Sequence, residues 1–141
     1  MIHLPTAAGG RVEHVVRTGT VAPRGTVLAR VHPADGPVEV LIAPFDALVA
    51  VQRLHRAEAP QFAQIIGLRR VVLAAGAGRV QWVATLGPVG LTTLMALLDT
   101  GEGVIPHRAG QVGFVGERFV EPGDRVELGH PLVEVRGEEH I

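Results

Sequence analysis

The stretch FVEPGDRVELGHPLVEV, from Phe119 to Val135, is the most informative part of the sequence because it combines two glycine turns with apolar residues at strand spacing. Gly123 precedes a polar-apolar pair and supplies a turn at which glycine is favoured. Gly129 reverses the chain a second time. The segment from Leu132 to Val135 then has the pattern of a strand that enters the core. We therefore expect a strand, two close turns and a second strand in each occurrence of this pattern.

The pattern recurs along the chain. GGRVEHVVRTGTVAPRGTVLARV, Gly9 to Val31, aligns with the longer stretch Ala109 to Val135 through shared glycines and valines. IAPFDALVAV, Ile42 to Val51, is a partial third copy. GRVQWVATLGPVG, Gly78 to Gly90, is a weaker fourth copy, for which chance is the alternative because glycine and valine are frequent. One copy cannot close a core, so we expect two copies to pack about a pseudo-twofold axis as a flattened barrel or sandwich.

The segments between these copies carry other signals. Asp35-Gly36 is typical of a hairpin turn between two strands. AEAPQFAQIIGL, Ala57 to Leu68, predicts a short helix with Pro60 in its first turn and Gly67 at its end. The glycine-rich segment 75–78 is expected to form a turn between two strands.

A second helix is predicted within VGLTTLMALLDTGEG, Val89 to Gly103, where Gly101 would end it. A strand from Thr92 to Leu98 is the alternative. We therefore expect a mainly β single domain over residues 1–141, with an inserted segment at about 57–102 that holds one or two short helices.

Composition limits the function classes. The 141 residues are 47% hydrophobic and 19% charged, with a net charge of −1. Arg53, Arg56, Arg69 and Arg70 form only a modest basic cluster, which argues against a nucleic-acid partner. The start of the chain lacks the pattern of a signal peptide, and apolar runs are too short for a membrane span. We expect a soluble cytoplasmic protein with no membrane partner.

The residue types also limit the chemistry. The chain has no cysteine, which excludes disulfides and cysteine-zinc sites. It has no serine, and its threonines have no obvious base nearby in sequence. Lysine is absent as well, so every basic side chain other than histidine is an arginine.

The repeated stretches resemble the biotinyl/lipoyl-carrier superfamily, whose fold is called the barrel-sandwich hybrid. The similarity is strongest at Ile105 to Val135, where Gly123, Asp124, Val126, Gly129 and Leu132 match the family pattern. It extends to Leu4 to Val31 and to Ile42 to Val51, about half of the chain in all. The resemblance implies a single hybrid motif built from these half-motifs, at about 4–31, 42–51 and 105–135.

The chain departs from the family at its central residue. In biotin carriers, a lysine that follows the first half-motif carries the cofactor. Here Asp35 stands at the approximate place of that lysine, and an aspartate cannot form the amide to biotin or lipoate. We therefore expect neither a covalent cofactor nor a cofactor-binding residue.

The histidines offer an alternative function. They are scattered, and no pair has the close spacing typical of zinc motifs, so the sequence predicts no metal ligand. A small hydrolase or transferase remains possible if the fold gathers two of His14, His32, His107 and His130 beside an acidic residue. Non-covalent binding of a small ligand beside the inserted helices is a further alternative.

The main hypothesis is a non-enzymatic, carrier-like scaffold or protein-interaction module without catalytic residues. Its candidate contact residues are Asp35 and Gly36 at the hairpin turn, together with Trp82 and Phe114. Trp82 and Phe114 either share an outer face or cap the core. Exposed strand edges favour a protein partner and a homo-oligomer.

Overall fold

The computed structural model describes residues 1–137 of the chain. Within this range the secondary structure consists of β-strands, and no helix is present. The strands are β1 (Ile2–Pro5), β2 (Gly10–His14), β3 (Val21–Ala22), β4 (Val27–His32), β5 (Glu39–Ile42), β6 (Ala47–Gln52), β7 (Glu58–Ala59), β8 (Gln64–Leu73), β9 (Gly78–Val83), β10 (Pro88–Val89), β11 (Leu94–Asp99), β12 (Val104–Arg108), β13 (Gly113–Arg118), β14 (Arg125–Val126) and β15 (Pro131–Arg136).

The chain divides into two compact units. Unit 1 is Met1–Arg69, and unit 2 begins at Arg70. Strand β8 spans this division, with residues 64–69 in unit 1 and residues 70–73 in unit 2. The segment at about 57–102, for which the sequence predicts an insertion within one domain, contains the last strands of unit 1 and the first strands of unit 2.

Unit 1 is built from two antiparallel sheets. In one, the strand order is β5-β4-β2-β7. In the other, β8 lies between β1 and β6, and β6 pairs with β3. Both sheets contribute to one apolar core. Its largest fully buried side chains are Val12, Leu28, Val31, Val49, Ile65, Ile66 and Leu68.

Unit 2 repeats this arrangement. One sheet has the order β12-β11-β9-β14, and in the other β15 lies between β8 and β13, with β13 paired to β10. The largest fully buried side chains of its core are Val83, Met95, Leu98, Leu132 and Val133.

The two units correspond strand for strand. β2 pairs with β4 and β7, as β9 pairs with β11 and β14. Equivalent glycines begin β2 and β9, since a side chain at Gly10 would meet the carbonyl oxygen of His32 at 2.6 Å, and one at Gly78 would meet that of Asp99. Each unit also contains two halves, and in each half a two-residue strand lies between two longer strands along the chain. The halves are β2-β3-β4 and β6-β7-β8, then β9-β10-β11 and β13-β14-β15.

The sequence copies therefore mark the starts of four such halves. The partial copy at Ile42 to Val51 contains β6, and the weaker copy that begins at Gly78 contains β9 and opens the first half of unit 2. The prediction of two strands around segment 75–78 is confirmed, because β8 ends before this segment and β9 begins at its last residue.

Both helix predictions are wrong for the segments on which they were made. The segment Ala57 to Leu68 forms β7 and the start of β8, and the alternative strand within Thr92 to Leu98 is present as β11. The residues Ile65 to Leu68 are buried in succession, so both faces of this strand are covered. A strand buried on both faces has a continuous apolar run, which periodicity alone does not distinguish from a buried helix.

Within residues 1–137, no segment forms a helix with the length and apolar character needed to cross a bilayer.

Candidate functional site

Asp35 and Gly36 lie at the exposed tip of the hairpin that joins β4 to β5. The two strands pair antiparallel, with Val31 opposite Glu39, so the hairpin expected at Asp35-Gly36 is present. Gly36 has a φ of 102°, a backbone conformation that glycine adopts without strain. The tip exposes Asp35 to solvent between β4, the last strand of the first half of unit 1, and β5.

Strand β5, which leaves this tip, forms an edge of its sheet and has an apolar outer surface. Val40 and Ile42 are 48% and 51% exposed, and Val38 just before the strand is similarly exposed. These three residues alternate along the chain, so their side chains project from the same face. On the other face, the Glu39 carboxylate accepts hydrogen bonds from the backbone N–H groups of Ala7 (2.8 Å) and Ala8.

The equivalent edge of unit 2 has different residues. β12 is also an edge strand, but it contains Pro106, which has no N–H to offer a further strand. Arg108 adds a charge at its end and donates a hydrogen bond to the carbonyl oxygen of Thr92 at 2.9 Å. Proline and charge are common means of preventing edge-to-edge pairing. The edge of unit 2 is therefore protected, whereas β5 contains no proline, and its one charged residue, Glu39, bonds to backbone N–H groups on the face opposite Val40 and Ile42.

Beside β5, the outer face of the same sheet carries a charged cluster. Glu13 on β2 lies 3.2 Å from the Nε2 of His32 and 3.9 Å from Arg30, both on β4. The hydrogen bond from His32 lowers the pKa of Glu13, with smaller contributions from the charges of His32, Arg30 and Arg11. Of the histidines in the hydrolase hypothesis, His32 is thus the one that contacts a carboxylate in unit 1.

Trp82 and Phe114 are both exposed but belong to different sheets of unit 2. Trp82 lies on β9 and Phe114 on β13. The register of β9 against β11 shifts between Leu97 and Leu98, and this bulge leaves the neighbours Gln81 and Trp82 both exposed. The structure therefore does not bring these two aromatic residues together on one strand surface.

Within the described residues of unit 2, His107 and His130 both contact the backbone. The buried ring of His107 accepts a hydrogen bond at Nε2 from the N–H of Ala75 at 2.9 Å, so its Nδ1–H faces the carbonyl oxygen of Ile105. Burial lowers the pKa of His107, and the hydrogen bond to Ile105 opposes this effect. His130 places Nδ1 2.9 Å from the carbonyl oxygen of Pro131.

The structure joins two histidines that the sequence did not pair. The backbone N–H of His14, at the end of β2, donates to the Nδ1 of His55 at 3.2 Å. The Nε2 of His14 lies 2.8 Å from the carbonyl oxygen of Arg53, and the two ring centroids are 5.6 Å apart. These contacts attach the loop between β6 and β7 to the end of β2.

A pocket of about 500 Å³ opens at this junction of unit 1. Its lining contains two arginines, two histidines and no carboxylate. The lining residues are His14, Val15, Val16, Arg17, Thr18, Gln52, His55 and Arg56. Gln52 is held in place because its side-chain amide donates to the carbonyl oxygen of Val16 at 2.6 Å. The pocket is therefore a cationic site with donors on several sides.

The loop that forms one side of this pocket has an unusual backbone. Leu54 and Arg56 have φ values of 61° and 59°, in the left-handed region that residues with a Cβ rarely adopt. The N–H of Ala57 donates to the carbonyl oxygen of Leu54 at 3.0 Å, which closes a turn with Arg56 in its third position. Such strain, about 1–3 kcal/mol for each residue, occurs most often at functional sites.

A second pocket, of about 410 Å³, lies in unit 2. Its lining includes Arg79, Arg125 and Asp99, so opposite charges are present together. The Oδ1 of Asp99 accepts a hydrogen bond from the N–H of Gly101 at 2.9 Å, and Arg79 donates to the carbonyl oxygen of Gly123. Asp99 and Arg79 are therefore already bonded within the hairpin and the turn. For this reason the unit 1 pocket is the stronger candidate for a ligand-binding site.

Metal-binding geometry is absent from the described part of the chain, where no three or more histidine, aspartate or glutamate side chains are grouped suitably for a metal ion. No protein-family model, curated protein or solved structure matches this chain.

Proposed function

We propose that this chain is a non-enzymatic, carrier-like scaffold that works by protein contact and forms a homodimer through β5 of unit 1. The observation that carries the proposal is the difference between the two equivalent edges. β5 has an apolar outer face and contains no proline, whereas β12 contains Pro106 and ends in Arg108. An open apolar edge is a template for pairing with another strand.

The strand order of both units supports the carrier-like part of the proposal. Each unit has two antiparallel sheets around one core and two similar halves, as expected of a barrel-sandwich hybrid. The hairpin tip of unit 1 carries Asp35, and the chain contains no lysine for covalent attachment of a cofactor. We therefore propose a tandem pair of such folds, which use the carrier shape without a carried group.

The chemistry of β5 suits pairing with a second copy of itself. In an antiparallel pair about a twofold axis, Val38, Val40 and Ile42 of both copies would lie on one face and cover one another. Glu39 would not oppose this pairing through an uncompensated charge, because its carboxylate is held by two backbone N–H groups. The contact would extend the β5-β4-β2-β7 sheet of each copy into the other.

The test is light scattering on three proteins at micromolar concentration: the natural chain, Val40→Lys and Val104→Lys. Val104 lies on β12 and is 48% exposed, the same fraction as Val40, so it is a matched control. We expect the natural chain and Val104→Lys to be dimers. Val40→Lys should be a monomer, because like charges would face each other across the pair.

A monomeric natural chain would contradict the proposed dimer. Dissociation by Val104→Lys to the same extent as by Val40→Lys would contradict the assignment to β5. Circular dichroism of each variant checks that its strand content is retained.

Other predicted properties belong to the same proposal. Asp35, Gly36, Trp82 and Phe114 are proposed contact residues for a further protein partner, and the cytoplasmic location stays a prediction. The alternative of a hydrolase or transferase also stays a prediction, which no specific geometry favours: His14 joins His55 without an acidic residue in the pocket lining, and His32 contacts Glu13 outside that lining.

A further inference from the structure

We propose that the unit 1 pocket between His14 and the loop 53–57 binds a small organic anion through its phosphate or carboxylate group. The proposal is independent of the homodimer, because it rests on the pocket lining rather than on the β5 edge. The groups assigned to the anion are Arg17, His55 and Arg56, which all line the pocket. Its volume of about 500 Å³ suits a small metabolite-sized molecule.

The charges of the lining define the ligand class. Two arginines line the pocket, and none of its lining residues carries a carboxylate that would neutralise them. Guanidinium groups bind carboxylate and phosphate oxygens through paired, charge-assisted hydrogen bonds. A pocket with this composition repels cations and attracts oxyanions.

The hydrogen bonds of His14 and His55 determine which ring nitrogens of these two histidines can donate a hydrogen bond. The Nδ1 of His55 accepts the N–H of His14, so the ring proton of neutral His55 is on Nε2, where it is a free donor for an anion. The Nε2 of His14 donates to the carbonyl oxygen of Arg53, which leaves Nδ1 as an acceptor. That Nδ1 is buried and has no hydrogen-bond partner within residues 1–137.

The equivalent turn of unit 2 shows that this arrangement is specific to unit 1. The N–H of Arg56 donates to the carbonyl oxygen of Val12 at 2.8 Å, as that of Gly123 donates to the carbonyl oxygen of Val80 at 2.7 Å. The two turns therefore share their backbone contacts. Their sequences are Leu54-His55-Arg56-Ala57 and Glu121-Pro122-Gly123-Asp124, so the turn of unit 1 carries a histidine and an arginine, whereas the turn of unit 2 carries two carboxylates.

The backbone at Arg56 supports a functional reason for the arginine. Gly123 has a φ of 99°, and at this position glycine fits without strain, whereas Arg56 adopts a φ of 59°. A strained arginine in place of glycine lowers stability, so a role in binding explains its presence. The variant Arg56→Gly therefore removes the charge while it retains the turn, and loss of folding does not confuse the result.

The experiment is titration of the natural chain, Arg56→Gly and Arg24→Gly with inorganic phosphate and with malate, followed by backbone amide NMR shifts. Arg24 is an exposed arginine of unit 1 outside the pocket lining, so Arg24→Gly controls for net charge. We expect at least one anion to shift the amides of His14 and loop 53–57. Arg56→Gly should weaken its affinity by about tenfold or more, and Arg24→Gly should leave it unchanged. The two anions separate phosphate from carboxylate recognition.

Three results would overturn the proposal. The first is that neither anion shifts these amides. The second is that Arg56→Gly binds as tightly as the natural chain. The third is that Arg24→Gly weakens binding as much as Arg56→Gly, which would indicate a general charge effect.

Discussion

At the scale of single residues, unit 1 places two large side chains at turn positions that glycine occupies in unit 2. Arg56 corresponds to Gly123, and Phe62 corresponds to Gly129. Phe62 has a φ of 64° and is 68% exposed, so it has little burial to offset its backbone strain. These turns therefore retain their shape at a cost in stability.

Replacement of Phe62 by glycine should stabilise the protein. Phe62 is the third residue of a turn that the N–H of Ala63 closes on the carbonyl oxygen of Pro60, a position that favours glycine. We expect Phe62→Gly to raise the free energy of unfolding by about 1 kcal/mol, measured by urea denaturation. Gly129→Ala is the converse change at the equivalent turn and should lower it by a similar amount. A destabilised Phe62→Gly protein would show that its phenyl ring makes a stabilising contact.

At the scale of elements, the edge strand β12 depends on the neutral form of one histidine. His107 lies on β12 and is 6% exposed, and its Nε2 accepts the N–H of Ala75. Protonation of Nε2 would remove this acceptor and place a charge in a buried position. The ring thus connects β12 to the turn that precedes β9, and this connection is sensitive to pH.

The sign of the pH effect follows from the direction of the pKa shift. Because the pKa of His107 is lowered below 6.5 in the folded chain, the unfolded chain binds this proton more readily. The contribution of His107 to stability is therefore present above about pH 6.5 and is lost as the pH falls from there towards the folded pKa. His107→Gln, which cannot titrate, should lose less stability between about pH 7.5 and about pH 5.5 in urea denaturation. An equal loss in both proteins would contradict this role.

The sequence predicted the turns and many strands better than it predicted the secondary structure of the middle segment. The hairpin at Asp35-Gly36 and the strand after Gly129 follow from local signals, glycine turns and alternation. The segments around Ile65 and Met95 gave helix predictions because strands that are buried on both faces lose their alternation. Only the packing of two sheets around each core distinguishes these segments from helices.

The binding pocket could not be predicted because its parts are distant in sequence. His14 and His55 are separated by 41 positions, and the pairing of β2 with β7 brings their segments together. The available signals were the modest cluster that includes Arg53 and Arg56, and His14 as a candidate residue of the hydrolase alternative. Neither signal indicated Arg17, which lies just beyond the end of β2, or the contact of His14 with His55.

At the scale of the whole molecule, the two units share one strand topology but have different surfaces. The cores of the two units use equivalent aliphatic positions, such as Leu28 and Met95. Their edges differ, because β5 is open and β12 contains Pro106. Their turns differ as well, since Arg56 replaces the glycine found at position 123. Such a repeat allows one unit to specialise in contact and ligand binding while both retain the fold.

Hydrogen exchange of backbone amides at increasing protein concentration tests whether β5 is the contact edge of the scaffold. We expect those β5 amides that do not bond to β4 to become protected as the dimer forms, whereas amides of β12 should keep the same exchange rate. Val40→Lys should abolish this protection. Amides of β5 that exchange at the same rate at all concentrations would contradict the claim.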